Sequence, residues 1–318
     1  GSVASMAWLP NVETKFEGYQ QMTCSGRLLC LHSDGETKSS IVAGEKAMLV
    51  FDCSPFYAES GGQIGDCGHI SNEDGKFVVL DTQKQGHIII HYGEVETGVI
   101  TVDAHYQLEV DTRREAIKRN HSATHLLHDA LIDVLGEHVV QKGSLVEAER
   151  LRFDFSHHAP LTTDQIMQIE QHVNHAITQN YEVQTDVMQL EQAKAQGVKA
   201  LFDEKYADEV RVLTMGKSRE LCGGTHVQRT GDIGAFVLVE QTAVAQGIRR
   251  VEAVTASVAT NVMQHYRSQL QNLATIAQSP VDVLGDKLAK MSSVIKTQQK
   301  AIDQLYMAQM QYLSQDLV

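Results

Sequence analysis

Up to about residue 110, apolar and polar positions group into short β-rich runs: Gly26–His32, Lys46–Phe51, Phe77–Asp81, His87–Tyr92 and Val99–Val102. Turn-forming stretches such as Ser33-Asp34-Gly35 and Asn72-Glu73-Asp74-Gly75 separate them. Strands at such intervals predict a small antiparallel barrel or sandwich. At Asp111 the period changes. Ile117, Ala123, Leu127, Ala130, Leu131 and Val134 recur at helical spacing, predicting a helix over Asp111–Leu135 that stops at Gly136. Ile166, Ile169, Val173 and Ile177 mark one face of a second helix, Thr163–Gln179. Strand-like text returns at Val210–Thr214 and Ala235–Glu240, so this middle segment reads as α+β.

The tail differs again. Leu284, Leu288, Met291, Ile295, Gln298, Ile302, Leu305, Gln309 and Tyr312 alternate spacings of four and three, a heptad seam with seven of nine positions apolar. Val262, Tyr266, Leu270, Leu273 and Ala277 stripe the segment before it, and Ser279-Pro280 breaks the two apart. That pattern predicts a helical hairpin, its seam serving either burial within the chain or a homo-oligomer contact. The expected organisation is therefore α+β throughout: a β-barrel domain at 1–110, an α+β domain at 111–256, and a helical segment at 257–318.

The chain has 318 residues, 42% hydrophobic and 21% charged, an ordinary globular composition that excludes disorder. No window approaches the roughly 18 unbroken apolar residues of a membrane helix, and no signal peptide is visible. Five scattered cysteines suggest a reducing cytoplasm rather than a disulfide scaffold. Gly1-Ser2, in place of an initiator Met, reads as a cloning remnant on a piece of a longer protein. The net charge of −13 is uneven: residues 1–110 carry 15 acidic against 6 basic side chains. A uniformly basic nucleic-acid binder is excluded. Local clusters remain, Arg113, Arg114, Lys118 and Arg119 on the first helix and Arg249-Arg250 later, as RNA contacts or as a solvated face and a turn.

The chemistry concentrates in two spaced pairs. His121 and His125 stand at i and i+4, one turn apart on the same helix face, which is how a helix offers two imidazoles to one metal. No Glu follows the first His, so the zinc-protease arrangement is absent. About a hundred residues on, Cys222-Gly223-Gly224-Thr225-His226 places a thiolate and an imidazole around a permissive loop. Together they make a tetrahedral donor set suited to Zn²⁺. His128, His157, His158, His172 and His175 stay outside it, some as partners that hold the ligands and most as surface or capping residues.

Asn120–Leu127, Val140–Ser144 and Leu221–His226 resemble, in order, motifs of alanyl-tRNA synthetase editing domains. Phe56–Asp66 looks like that family's glycine-rich segment and Gly247–Thr255 like its close, so the likeness covers roughly residues 12–260. Ala256 departs from it, standing where Gly is expected after Val-Thr. The resemblance implies a deacylase of tRNA(Ala) mischarged with serine or glycine, with zinc on His121, His125, Cys222 and His226, Gln141 in the editing pocket and the tail in an oligomerisation region. The adenylating core is missing. Lys290-Met291-Ser292-Ser293 falls in the tail heptads and reads as packing rather than an ATP signature.

Four protein ligands leave no open metal position, which favours a metal that positions substrate over one that activates water. Gln141 and the Thr124 hydroxyl are candidates to hold the substrate's polar groups. Backbone N–H groups at Gly61-Gly62 or Gly223-Gly224 would face a developing oxyanion, unless those glycines serve only tight turns. Three rival readings stand beside this one: a threonyl-tRNA synthetase editing domain, a non-catalytic zinc module that binds tRNA, and a free-standing editing protein.

Overall fold

The computed structural model describes residues 6–198 and 208–315. They form two compact units, divided between Ala259 and Thr260. Six antiparallel strands open the first unit: β1 (Thr23–Ser33), β2 (Lys46–Phe51), β3 (Gly68–Ser71), β4 (Gly75–Gln85), β5 (Ile88–Thr101) and β6 (His105–Val110). Their order is β6-β3-β4-β5-β2-β1, and β1 pairs back onto β6, closing the barrel. Closure removes the free edges that an open sheet would expose. Leu28, Leu49, Phe51, Ile70, Phe77, Ile100 and Leu108 fill its interior. The runs expected at His87–Tyr92 and Val99–Val102 are one strand, because the intervening Gly93–Gly98 stays in register with β4 through two irregularities. β3 and β6 were not foreseen.

Helix α1 (Arg113–Leu135) follows at once. A four-stranded antiparallel sheet comes next, in the order β7 (Gln141–Val146), β8 (Leu151–Ser156), β13 (Ile248–Thr255) and β12 (Phe236–Ala245). It shares a core with α1 and α2 (Thr163–Gln179). A capping box starts α2, Thr162 Oγ1 accepting from the Gln165 N–H while the Gln165 side chain accepts from the Thr162 N–H. A three-stranded sheet, β9 (Val183–Gln189), β10 (Glu209–Met215) and β11 (Ser218–Leu221), carries Cys222 just past its last strand. The architecture changes at residue 110, yet both parts belong to one compact unit.

Several contacts make the join, and two of them pin the glycine-rich loop and the start of α1. The Gly62 carbonyl accepts from the Val146 N–H at 2.7 Å, so the glycine-rich loop adds to the edge of β7. Gly62 has φ +86°, and a Cβ there would lie 2.3 Å from Ser144 Oγ; only glycine fits. The second contact is Arg114. It is 1% exposed, its Nε donates to Asp66 Oδ2 at 2.9 Å and its Nη1 to the Gly18 carbonyl at 2.7 Å, and Nη2 reaches Asp66 and the Pro55 carbonyl. The expectation that Arg114 meets RNA is therefore corrected: its guanidinium is consumed inside the protein.

In the second unit, α3 (Ala256–Ile276, its first turn belonging to the first unit) precedes α4 (Leu284–Gln315) across the Ser279-Pro280 break. Ala274, Ala277 and Leu284 bury one another at the elbow. Both apolar stripes are otherwise exposed, Tyr266 and Leu273 on α3 and Ile295, Leu305 and Tyr312 on α4 among them. The helices thus do not close on each other along these stripes, and Lys290–Ser293 is exposed rather than packed. Ala256 takes φ +52°, the conformation that the expected glycine would adopt freely, at a cost of about 1 kcal/mol.

Arg114→Met should destabilise the first unit by about 3–5 kcal/mol, because it strands a buried carboxylate, and Asp66→Leu added to it should recover part of the loss; urea midpoints of the single and double variants check this. His91 sits fully buried, its Nδ1–H on the Leu49 carbonyl (3.0 Å) and Nε2 on Ser54 Oγ (2.7 Å), and burial lowers its pKa to about 4. Between pH 6.5 and 4 the unfolded chain takes up a proton that the folded barrel refuses, so stability should fall as pH drops through this window. The fall due to His91 should approach about 3 kcal/mol and be absent from His91→Gln, measured by denaturation across pH.

Candidate functional site

Helix α1 brings His121 and His125 onto one buried face, and the turn after β11 brings Cys222 and His226 against them. One ligand atom from each of the four lies within 4.8 Å of the others. Cys222 Sγ is 3.2 Å from His226 Nε2 and 3.5 Å from His121 Nε2. The sequence-derived ligand set is thus brought together in space.

Each imidazole is held by its other nitrogen. His121 Nδ1 meets Gln63 Oε1 at 2.7 Å, His125 Nδ1 pairs with Glu220, and His226 Nδ1 meets Ser122 Oγ at 3.1 Å. Gln63 Oε1 is an acceptor and also takes the Thr225 N–H at 2.9 Å, so His121 carries its proton on Nδ1 and turns the Nε2 lone pair inward. Such outer partners fix tautomer and ring orientation in metal sites. None of Gln63, Glu220 and Ser122 was singled out from sequence. Gln63 lies in the quoted glycine-rich segment and Glu220 two residues before Cys222, but nothing in spacing links them to the histidines.

The electrostatics follow from burial and pairing. Burial alone would push the Cys222 thiol up; the imidazoles of His121, His226 and His125 outweigh it and hold the thiol well below its ordinary range. Burial would likewise raise Glu220, but His125 holds its carboxyl at about 2. Burial lowers His226 to about 3, keeping it neutral. Burial also acts to lower His125, and Glu220 overrides it, raising the imidazole to about 10. The half-buried Cys222 thiolate faces the Nε2 atoms of His121 and His226, and His125 Nε2 is buried without a hydrogen-bond partner. Binding of a divalent metal would displace the His125 Nε2 proton and give one sulfur and three nitrogen donors, a set that suits such an ion.

The centre lines a cleft of about 640 Å³. Phe16, Tyr19, Tyr57 and Gly61 line it from the barrel side, Thr124, Gln141 and Ser144 from α1 and β7, and Arg211, Gly223 and Gly224 from beside the ligands. Thr124 donates its hydroxyl proton to the Asn120 carbonyl at 2.8 Å, leaving only lone pairs for a ligand. Gly61 has open space where a Cβ would stand, whereas one at Gly224 would lie 2.0 Å from His121 Cε1. Gly224 is therefore glycine because an imidazole packs on it. Its N–H donates to Cys222 Sγ at 3.4 Å, which corrects the expectation that it faces an oxyanion. Gly62 lies beneath Ser144 and outside the lining.

His128 is one of the histidines that support the cluster from outside it. It is buried, and its Nδ1 meets Glu220 Oε1 at 3.2 Å, so it shares the carboxylate that holds His125. The remaining basic residues have local partners: Arg113 with Glu149, Lys118 with Glu115, Arg119 with the Asp232 carbonyl, Arg249 with Gln241 and Arg250 with Asp154. Arg113 and Lys118 keep exposed or partly exposed ammonium or guanidinium groups. All five cysteines are free thiols, and no described helix is long and apolar enough to cross a membrane.

Residues 3–114 match the family model described as tRNA synthetases class II (A), and residues 210–252 match that of the Threonyl and Alanyl tRNA synthetase second additional domain. The chain is 46% identical over 308 residues to an alanine–tRNA ligase of Legionella pneumophila (strain Lens), covering 96% of this chain and 36% of that protein. It is 47% identical over 295 residues to that of Haemophilus influenzae and 46% over 297 to that of Dichelobacter nodosus, in both cases covering 92% of this chain and 34% of the relative. The chain thus spans about a third of the length of the curated relatives it matches. Those relatives, the two family models and the ligand motifs agree: this chain belongs to the alanyl-tRNA synthetase family.

Proposed function

We propose that the chain hydrolyses the ester of tRNA(Ala) mischarged with serine or glycine, and that residues 111–256 with the barrel wall form the deacylase. The observation that supports this most is the cluster of His121, His125, Cys222 and His226, the first three of which line a cleft together with Thr124 and Gln141. Zn²⁺ bound by these four residues would supply a positive centre to orient or polarise the ester. Gln141 offers an amide that both donates and accepts, and Thr124 Oγ1 offers lone pairs to a serine hydroxyl or an α-ammonium group. A pocket that pairs the serine hydroxyl penalises alanine, whose methyl leaves such groups unsatisfied. Glycine would enter by size alone. Arg113, Lys118 and Arg119 at the start of α1, with Arg249 and Arg250 on β13, are the cations we assign to tRNA phosphates; Arg114 is withdrawn.

The identity to alanine–tRNA ligases favours this reading over a threonyl-type editing domain. A second reading rests on the ligand count: four protein ligands match closed, structural zinc sites, so a non-catalytic module that binds tRNA is the competitor. The exposed seam of α4 we assign to helix pairing between copies of the chain.

About one zinc per chain is expected by elemental analysis, with a lower unfolding midpoint after chelation. Absence of zinc together with a midpoint indifferent to chelator would overturn the ligand assignment. For activity, Ser-tRNA(Ala) should be deacylated by the zinc-loaded protein, and Gln141→His should slow this about 30- to 1000-fold while zinc content and melting temperature stay parental. Faster deacylation of Ser-tRNA(Thr) would point to the threonyl type. Zinc binding with no turnover of either substrate would leave the structural module.

A further inference from the structure

The loop between Cys222 and His226 contains two successive peptide planes, and each is held at both ends. In a trans peptide the C=O and N–H point in opposite directions. The Gly223 oxygen accepts from the Tyr19 hydroxyl at 2.6 Å, and the other end of that plane, the Gly224 N–H, donates to Cys222 Sγ. The Gly224 oxygen accepts from Arg211 Nη1 at 3.0 Å, and the other end of the second plane, the Thr225 N–H, donates to Gln63 Oε1, the atom that holds His121. Tyr19 and Arg211 are themselves joined: the guanidinium carbon lies 3.5 Å from the centre of the tyrosine ring, and Phe16 meets that ring edge-on at 4.9 Å. Two glycines leave the intervening plane free to turn over, since neither has a Cβ to forbid the flipped form. A flipped Gly223–Gly224 peptide would aim its oxygen at the thiolate.

We infer that Tyr19 and Arg211 form a clasp that fixes the orientation of both peptides, and that they are positioning residues for the metal centre. Tyr19 acts through one plane on Cys222. Arg211 acts through the next on Gln63 and so on His121. The clasp reaches the centre from the barrel side, since Tyr19 precedes β1, which makes the barrel's N-terminal approach part of what retains the metal. The inference rests on the proposal that the four residues hold zinc.

The test uses the zinc-loaded chain, Tyr19→Phe and Arg211→Lys. Tyr19→Phe keeps the ring beneath Arg211 and beside Phe16 and deletes only the hydroxyl. Zinc transfer to the chromogenic chelator 4-(2-pyridylazo)resorcinol is followed in time. Release should be about tenfold faster or more in each variant, at an unfolding midpoint close to the parent's, as loss of an outer hydrogen bond to a metal site typically brings. Cobalt-loaded Tyr19→Phe should also show an altered thiolate-to-metal charge-transfer band, which a change in general stability does not produce. Parental release rates in both variants, or an unaltered cobalt spectrum, overturn the clasp while leaving the ligand assignment standing. A parental chain that takes up no metal overturns both.

Discussion

A half-buried thiolate with three imidazoles around it is the constraint on which the first unit depends. Their charges and lone pairs face one another, and that arrangement is tolerable only if every outward-facing nitrogen has a partner and the inward-facing atoms share a cation. The fold meets the first condition from three directions. Gln63 comes from the barrel's glycine-rich loop, Glu220 from the end of β11 and Ser122 from α1 itself. Because Gln63 must reach both His121 and Thr225, the loop carrying it is pinned to β7, which in turn requires glycine at 62 under Ser144.

The barrel is therefore more than a neighbour of the helical part. Arg114, at the start of the helix that bears both histidines, inserts into a socket made by Asp66 and the carbonyls of Gly18 and Pro55. An unpaired Asp66 would be costly in that setting, where burial already pushes its carboxyl up and Arg114 pulls it back. The register of α1 against the barrel is thus set by an ion pair two turns from His121. The same N-terminal approach supplies Gly18 to the socket and Tyr19 to the metal loop. Structural support and site geometry share these few residues.

Much of this was legible in the sequence, and the rest shows why some was not. The bounds of α2 and the start of α4 follow from periodicity, because local spacing alone decides them. The four clustered residues were legible because a metal site would impose short spacings, i and i+4 on a helix and i and i+4 across the loop from Cys222 to His226. Their supporting partners were not: Gln63 and Glu220 meet the histidines across long stretches of chain, and an amide or carboxylate has no spacing of its own. Arg114 was misread for a related reason. It stands among exposed basic residues on a helix start, and only the distant Asp66 makes it a core residue. Tyr19 carries no motif at all. The stripes of α3 and α4 were read correctly as apolar, but spacing does not say whether the covering partner lies in the same chain.

We propose that residues from α1 and from the turn after β11 jointly ligate one metal. X-ray absorption at the zinc edge of the loaded protein tests it most directly. One sulfur neighbour at about 2.3 Å and three nitrogen neighbours at about 2.0–2.1 Å are expected. A spectrum with no sulfur scatterer, or with two or more, would contradict it.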